Sequence, residues 1–326
     1  MTAVTVRVPA KVNLQLSVGP VRPDGYHEIA TIFHAVSLYD EVEVAPAERA
    51  VVTVTGEGAQ SVPAGQGNLA MRAADVLAGE TGLAEKTGLA RPVGISIRKR
   101  IPVAAGLAGG SADAAAALVG CNELWRTGLS QAELAVLAAR IGSDVAFALA
   151  GGTAVGRGRG EQLTPALVSG EYHWVLAFAA GQLSTPEVYR ACDRIRAARD
   201  AAVTRPRPGT GLLAALRSGD PAEVGPLLSN DLQPAALSLQ PDLRRTLSVG
   251  RSAGALGSIV SGSGPTCAFL AADAEQAVDL AVALSGAGVC RSVVRVTGPA
   301  QGAVVVSTPR GAAPPRGPQS RSGSSS

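Results

Sequence analysis

The sequence is short of the residues that signal metal or disulfide chemistry. Its four cysteines, Cys121, Cys192, Cys267 and Cys290, stand far apart and form no C-x-x-C pair. That excludes a zinc ribbon and a dense disulfide framework and fits a reducing cytoplasm. The three histidines, His27, His34 and His173, include no pair at the short helical spacing of a zinc site. Charged residues make up only 17% of the chain, and the last eighteen residues carry Arg310, Arg316 and Arg321 with no acid, so the rest is neutral. A neutral body gives no electrostatic reason to bind nucleic acid or an anionic membrane, although a local phosphate site remains open. No stretch approaches about eighteen uninterrupted apolar residues, and the start MTAVTVRVPAKVNL lacks the pattern of a signal peptide, so a soluble protein is expected. No internal repeat is evident, which argues against solenoids and propellers.

What is present is a globular composition, 46% apolar over 326 residues, enough for two lobes sharing an interface. TVRV, NLQLSV, EVEVA and VVTVT alternate as strands, with PDGYH and GEG as turns between them. Asn68 is a suitable N-cap for LAMRAADVLAGE, and VGISIRK alternates again. SADAAAALVGCNELW reads as a helix opened by Ser111, and Ser130 with Glu133 forms a capping box ahead of LAVLAARIG. WVLAFAA reads as a buried strand, Thr185-Pro186 as the cap and first residue of EVYRACDRIRAAR, and AEQAVDLAVALSGAG as a helix among the strands IVSGSG, TCAFLAA and SVVRVTG. The expected architecture is α+β, with a β-rich lobe over 1–170, an α/β-plait-like lobe over 171–308 and a disordered tail over 309–326, rich in Pro, Gly, Ser and Arg.

Four segments carry candidate chemistry. IPVAAGLAGGSADAAAAL places Gly106, Gly109 and Gly110 before a helix, where free amides and the positive end of the dipole suit phosphate. It is neither a Walker P-loop, lacking Gly-Lys followed by Ser or Thr, nor a G-x-G-x-x-G fingerprint. PAKVNLQLSV puts Lys11 and Asn13 on one strand face, and PDGYHE presents Tyr26 and His27 to stack on and hydrogen-bond a planar base. Asp144 follows Gly142-Ser143 at a helix start, either as a dipole-favoured residue capped by Ser143 or as an acceptor of a hydroxyl proton. SGSGP is a tight hairpin with small residues for close approach.

In this order PAKVNL, PVAAGLAGGSADAA and SGSGPTCAF resemble the three signature motifs of the GHMP kinase superfamily, over about residues 5 to 300. DGYHE, GSDVAFAL and STPEVY are similar to the branch whose acceptor is a cytidine diphosphate-linked methylerythritol. The resemblance implies two α+β lobes with the site between them and ATP with Mg²⁺ as cofactors. It makes Lys11 and Asp144 the catalytic pair. Pro102, Val103, Ala104, Ala105, Gly106, Leu107, Ala108, Gly109, Gly110, Ser111 and Ala112 become the phosphate cradle, with Asn68 and Lys99 framing the adenosine. Asn13, Tyr26, His27, Thr185, Tyr189, Gly262 and Ser263 become acceptor contacts, the two tyrosines sandwiching the cytosine; the metal ligands are not indicated. The partner is then a small molecule, with no nucleic acid and no membrane, and the chain a cytoplasmic monomer or weak homodimer.

Two positions depart from the family pattern. Ala146 stands where proline usually follows the aspartate-valine pair, and Ala104, Ala105 and Ala108 replace glycines, which is tolerable where those positions need φ below zero and otherwise alters the amide geometry. Two rivals stay open: a kinase for homoserine or mevalonate, and a GHMP-fold protein that binds a ligand without turnover.

Overall fold

The computed structural model describes residues 3–82, 92–199 and 203–307, so the expected tail over 309–326 lies outside the described residues. The chain opens on a long hairpin, β1 (Val4–Val21) and β2 (His27–Pro46), turned by Arg22–Tyr26 with Gly25 at φ +81°. The segments TVRV and NLQLSV were expected as separate strands. They are one strand because Pro9, which has no N–H to donate, falls at a register shift in the pairing with β2, where a missing donor is tolerated.

The other strands are β3 (Val51–Gly56), β4 (Val93–Lys99), β5 (Thr153–Gly158), β6 (Gln162–Pro165), β7 (Tyr172–Phe178), β8 (Ser229–Asn230), β9 (Gly257–Val260), β10 (Cys267–Ala271), β11 (Ser292–Gly298) and β12 (Val304–Ser307). The helices are α1 (Leu69–Glu80), α2 (Gly109–Trp125), α3 (Gln131–Ile141), α4 (Ser143–Ala150), α5 (Thr185–Ala198), α6 (Thr210–Ser218), α7 (Pro221–Val224), α8 (Gln233–Leu239), α9 (Leu243–Ser252) and α10 (Ala274–Gly286). The first sheet runs β12-β1-β2-β4-β3. The length of β2 lets it pair with β4 through Glu41–Pro46 and with β5 through Ile29–His34. The second sheet, β11-β7-β10-β9, is antiparallel throughout.

Period two decides what that second sheet covers. Val175, Ala177, Cys267 and Phe269 face a cluster with Val188, Ala191, Leu243, Leu247 and Leu280, from α5, α9 and α10. The alternate residues Trp174, Leu176, Ala268 and Leu270 join the core of the first lobe. The sheet is therefore a middle layer, and the lobes share an apolar interface. The boundary expected at 170/171 is also crossed by the chain: β8 and β12 both pair with β1, so parts of 171–308 complete the first sheet.

Helix α2 runs through the first core with residues buried all round, from Ala112 to Leu124. Its small residues permit close approach: a Cβ on Gly120 would meet Val44 at 2.8 Å. His34 is buried at the lobe interface with Nδ1 2.8 Å from the Thr153 hydroxyl, and burial pushes its pKa down to about 3, so the ring is neutral.

Candidate active site

Between β4 and α2 the chain forms the glycine-rich loop. Its carbonyls are occupied from behind: Gly106 O accepts from Lys11 Nζ at 3.0 Å and from Ser261 Oγ at 3.1 Å, Leu107 O from Lys11 N at 3.3 Å and Ala105 O from Thr266 N at 3.4 Å. With the oxygens turned inward, the amides are left to face outward. Ala104, Gly106 and Ala108 alternate through left-handed backbone at φ +52°, +76° and +60°. Gly106 admits nothing larger, since a Cβ there would fall on the Ser261 carbonyl oxygen. Helix α2 starts at Gly109, two residues before the expected Ser111, and its N-cap Ala108 offers no side-chain acceptor. The amides of Gly109, Gly110 and Ser111 consequently lack a partner among the described residues, the arrangement that receives an anion.

The strand spacing of Lys11 and Asn13 brings them together: Lys11 Nζ donates to Asn13 Oδ1 at 2.7 Å, and Asn13 Nδ2 donates to Thr31 Oγ1 at 2.8 Å. The third motif closes over this pair, with Gly262 at φ +55° and room for a Cβ only 3.1 Å from Lys11 Nζ. Asp144 Oδ2 lies 3.9 Å from the same nitrogen. Asp144 is the second residue of α4, whose N-cap is Gly142 in extended backbone, so Ser143 is helical and not the cap expected. Burial pulls the Lys11 pKa below its ordinary value, and the charge of Asp144 only partly offsets this.

Opposite stands an aromatic wall. The ring centroids of His27 and Tyr189 are 4.9 Å apart, Arg159 lies 5.1 Å over the exposed Tyr26 ring, and His27 Nε2 is 2.9 Å from Asp193 Oδ1. Burial, with the charge of Asp144 adding, raises the Tyr189 pKa, so its hydroxyl stays protonated. The Thr185 hydroxyl is 2.9 Å from that of Ser263, which fits Ser184 and not Thr185 as the N-cap of α5. All these groups border one cavity of about 950 Å³. The amino-terminal ends of α2, α4 and α5 border it too, adding three positive dipole ends to the Lys11 ammonium.

The family model of the GHMP kinase N-terminal domain matches residues 68–152, and that of the GHMP kinase C-terminal domain matches residues 212–290. Relatives named 4-diphosphocytidyl-2-C-methyl-D-erythritol kinase include one from Mycolicibacterium smegmatis, 57% identical over 94% of each chain. Another, from Mycobacterium tuberculosis, is 54% identical over 94% of each chain. The chain belongs to the GHMP kinase family. A solved 4-(cytidine 5'-diphospho)-2C-methyl-D-erythritol kinase superimposes with a TM-score of 0.70 at 34% identity, covering 90% of this GHMP kinase and 98% of that chain. Homoserine kinase from Cytophaga hutchinsonii gives 0.69 at 19% identity over 94% and 98%, a likeness of fold.

In this GHMP kinase Lys11, Asn13, Tyr26, His27, Ala104, Ala105, Gly106, Ala108, Gly109, Gly110, Ser111, Asp144, Thr185, Tyr189, Gly262 and Ser263 meet at the large cavity. Six expected residues do not line it. Pro102 and Val103 border a separate cavity of about 210 Å³, beside the Arg291–Glu57 ion pair. Leu107 and Ala112 are buried in the core. The Asn68 side chain caps α1 by accepting from Ala70 N at 2.9 Å and donates to Pro63 O at 2.9 Å. Lys99 is buried with its ammonium between Asp40 at 2.5 Å and Asp113 at 2.7 Å. These side chains, expected near the adenosine, are engaged in capping and charge pairing. Sequence reasoning missed Arg159, Asp193 and Phe33, which also line the cavity. Asp193 alone carried a readable signal, standing one helical turn after Tyr189 on the same face.

Proposed function

We propose that this GHMP kinase transfers the γ-phosphoryl group of ATP to the 2-hydroxyl of 4-diphosphocytidyl-2-C-methyl-D-erythritol, releasing ADP and the 2-phosphate on the non-mevalonate route to isoprenoid precursors. The observation that carries this reading is the convergence, on one cavity, of the loop amides, the Lys11–Asp144 pair and the wall of Tyr26, His27 and Tyr189. The loop amides hold the nucleotide phosphates and the aromatic wall holds the cytosine, which sets the acceptor hydroxyl between them. Asp144 orients that hydroxyl and takes its proton late, since phosphoryl transfer has a loose transition state and depends mainly on alignment and charge. Lys11, poorly compensated in its buried place, gains from the negative charge that gathers on the transferring group.

Mg²⁺, when bound, would supply neutralisation of the nucleotide's phosphate charge. No group of three or more His, Cys, Asp or Glu among the described residues is placed to hold a metal ion. The donor set fits an ion carried in on the nucleotide, with the Asp144 carboxylate and the Ser111 hydroxyl as protein oxygens on that wall. No helix among the described residues is long and apolar enough to cross a membrane. Free thiols at all four cysteines support a cytoplasmic setting, and we take the active form to be a monomer or weak homodimer.

The test is ADP release with the diphosphocytidyl substrate beside mevalonate and homoserine. Turnover is expected with the first alone, and Asp144→Asn should lower it by about 10²- to 10⁴-fold. Equal turnover on mevalonate or homoserine would sink the substrate, and a parental rate in Asp144→Asn would sink the role of the carboxylate.

A further inference from the structure

The hydrogen bond between His27 and Asp193 is not needed to stack a base, and it constrains the imidazole in a way stacking does not. His27 begins β2 in the first lobe, with its side chain 9% exposed, and borders the cavity. Tyr189 and Asp193 stand four residues apart on α5, so one face of that helix supplies both an aromatic neighbour at 4.9 Å and a carboxylate at 2.9 Å. An ionised carboxylate only accepts hydrogen bonds, so the nitrogen facing it, Nε2, must carry the proton. In the Nε2–H tautomer Nδ1 is unprotonated, and it finds no partner among the described residues.

We propose that Asp193 is a positioning residue that holds His27 in the Nε2–H tautomer and thereby makes the site select a 4-aminopyrimidine over a 4-oxopyrimidine. The proposal rests on the cytidine reading above and adds to it the source of the base preference. An acceptor at Nδ1 takes a hydrogen from the exocyclic amine of cytosine. Uracil presents a carbonyl oxygen at that position, so two acceptors would face each other and both would lose a partner. The carboxylate acts through the ring, as carboxylates behind metal-bound histidines set which nitrogen is free.

Two measurements on the full chain test this. The first compares binding of cytidine 5′-diphosphate and uridine 5′-diphosphate by calorimetry, at a pH above the imidazole range. The parent should favour the cytidine nucleotide by roughly ten-fold or more, the order set by one mismatched buried hydrogen bond. Asp193→Ala should bring the two within about three-fold of each other, chiefly by weakening the cytidine nucleotide, while Asp193→Glu should restore the preference. Asp193→Asn, which can present an amide N–H to Nε2, should shift the preference toward the uridine nucleotide. The second measurement reads the ring directly: with only three histidines in the chain, the imidazole ¹⁵N shifts of His27 can be assigned. They should show a protonated Nε2 in the parent and a tautomer mixture in Asp193→Ala.

An Asp193→Ala protein that binds both nucleotides more weakly but keeps their ratio would overturn the proposal, leaving the contact as a clamp between β2 and α5. A parent ring protonated at Nδ1 would overturn it as well. A parent that does not distinguish the two nucleotides would instead overturn the cytidine reading, and this proposal with it.

Discussion

Two buried lysines sit beneath the two ends of the same loop, and their surroundings differ by one carboxylate. Lys11 lies under Gly106, with neutral oxygens from Asn13 and Gly106 at 2.7 and 3.0 Å and its nearest carboxylate, Asp144, at 3.9 Å. Lys99 lies under Gly109, where an added Cβ would come within 3.1 Å of its ammonium, and is gripped by both Asp40 and Asp113. Burial lowers the pKa of Lys11. Burial opposes the charge of Lys99 too, but the two carboxylates outweigh it and its pKa is raised. An under-compensated cation at a cavity is ready for an incoming anion, and a fully compensated one behind the loop is occupied with holding it.

Methionine at each position breaks the comparison open, because stability and activity should respond oppositely. Lys99→Met leaves two buried carboxylates without their cation and should lower the unfolding free energy by about 3–5 kcal/mol, read from urea denaturation. An unchanged midpoint would mean that the cluster does not hold the loop. Lys11→Met should leave stability within about 1 kcal/mol of the parent, since the removed charge was poorly compensated, but cut kcat about 10²- to 10³-fold in the ADP-release assay. A large loss of stability at Lys11 would erase the distinction between the two.

The contrast also shows what could be read before the fold was known. Period two placed Lys11 beside Asn13, because strand alternation is a local property, and the family resemblance placed Asp144 and Tyr189 with them. The family resemblance put Lys99 near the nucleotide, and nothing local reveals that Asp40, fifty-nine residues earlier on β2, would reach its ammonium. The β-strand that passes through Pro9, the return of β8 and β12 to the first sheet, and the approach of Asp193 to His27 are likewise tertiary. Local pattern located the segments; which side chains face the cavity depended on long-range pairing.

A pH series sharpens the description of the Lys99 cluster. Burial, joined by the charge of Asp40 and opposed by Lys99, raises the pKa of Asp113 to about 8, and its Oδ1 has no hydrogen-bond partner among the described residues. One cation and two carboxyls then share a proton and form a neutral group. Because the folded pKa lies above the unfolded carboxylate value, folding takes up a proton in the window between them. The stabilisation is complete below about pH 4 and is lost as pH rises toward about 8, with a slope of up to about 1.4 kcal/mol per pH unit. Asp113→Asn has no proton to lose and should flatten that slope in urea titrations across the window. An identical slope in both proteins would mean that Asp113 is ionised throughout.

The smallest effect lies in the loop itself, between the two lysines. Alanine at 104 and 108 is tolerated without strain only where φ lies below zero, yet both are left-handed, at +52° and +60°. A Cβ in that conformation crowds the following carbonyl, at a cost of about 1–2 kcal/mol per residue. The bonds that tie Ala105, Gly106 and Leu107 to β1 and the β9–β10 hairpin hold the loop there against this strain. Ala104→Gly and Ala108→Gly should each raise stability by about 1 kcal/mol in urea denaturation, less whatever the glycine adds to the freedom of the unfolded chain. Ala105, whose φ is not positive, is the control: Ala105→Gly relieves nothing and should lower stability by about 0.5–1 kcal/mol. If all three changes destabilised alike, the left-handed turns would not be strained. If only the first two stabilise, the loop geometry is imposed by its anchors on either side, Lys11 at one end and the Lys99 cluster at the other, and not by its own sequence.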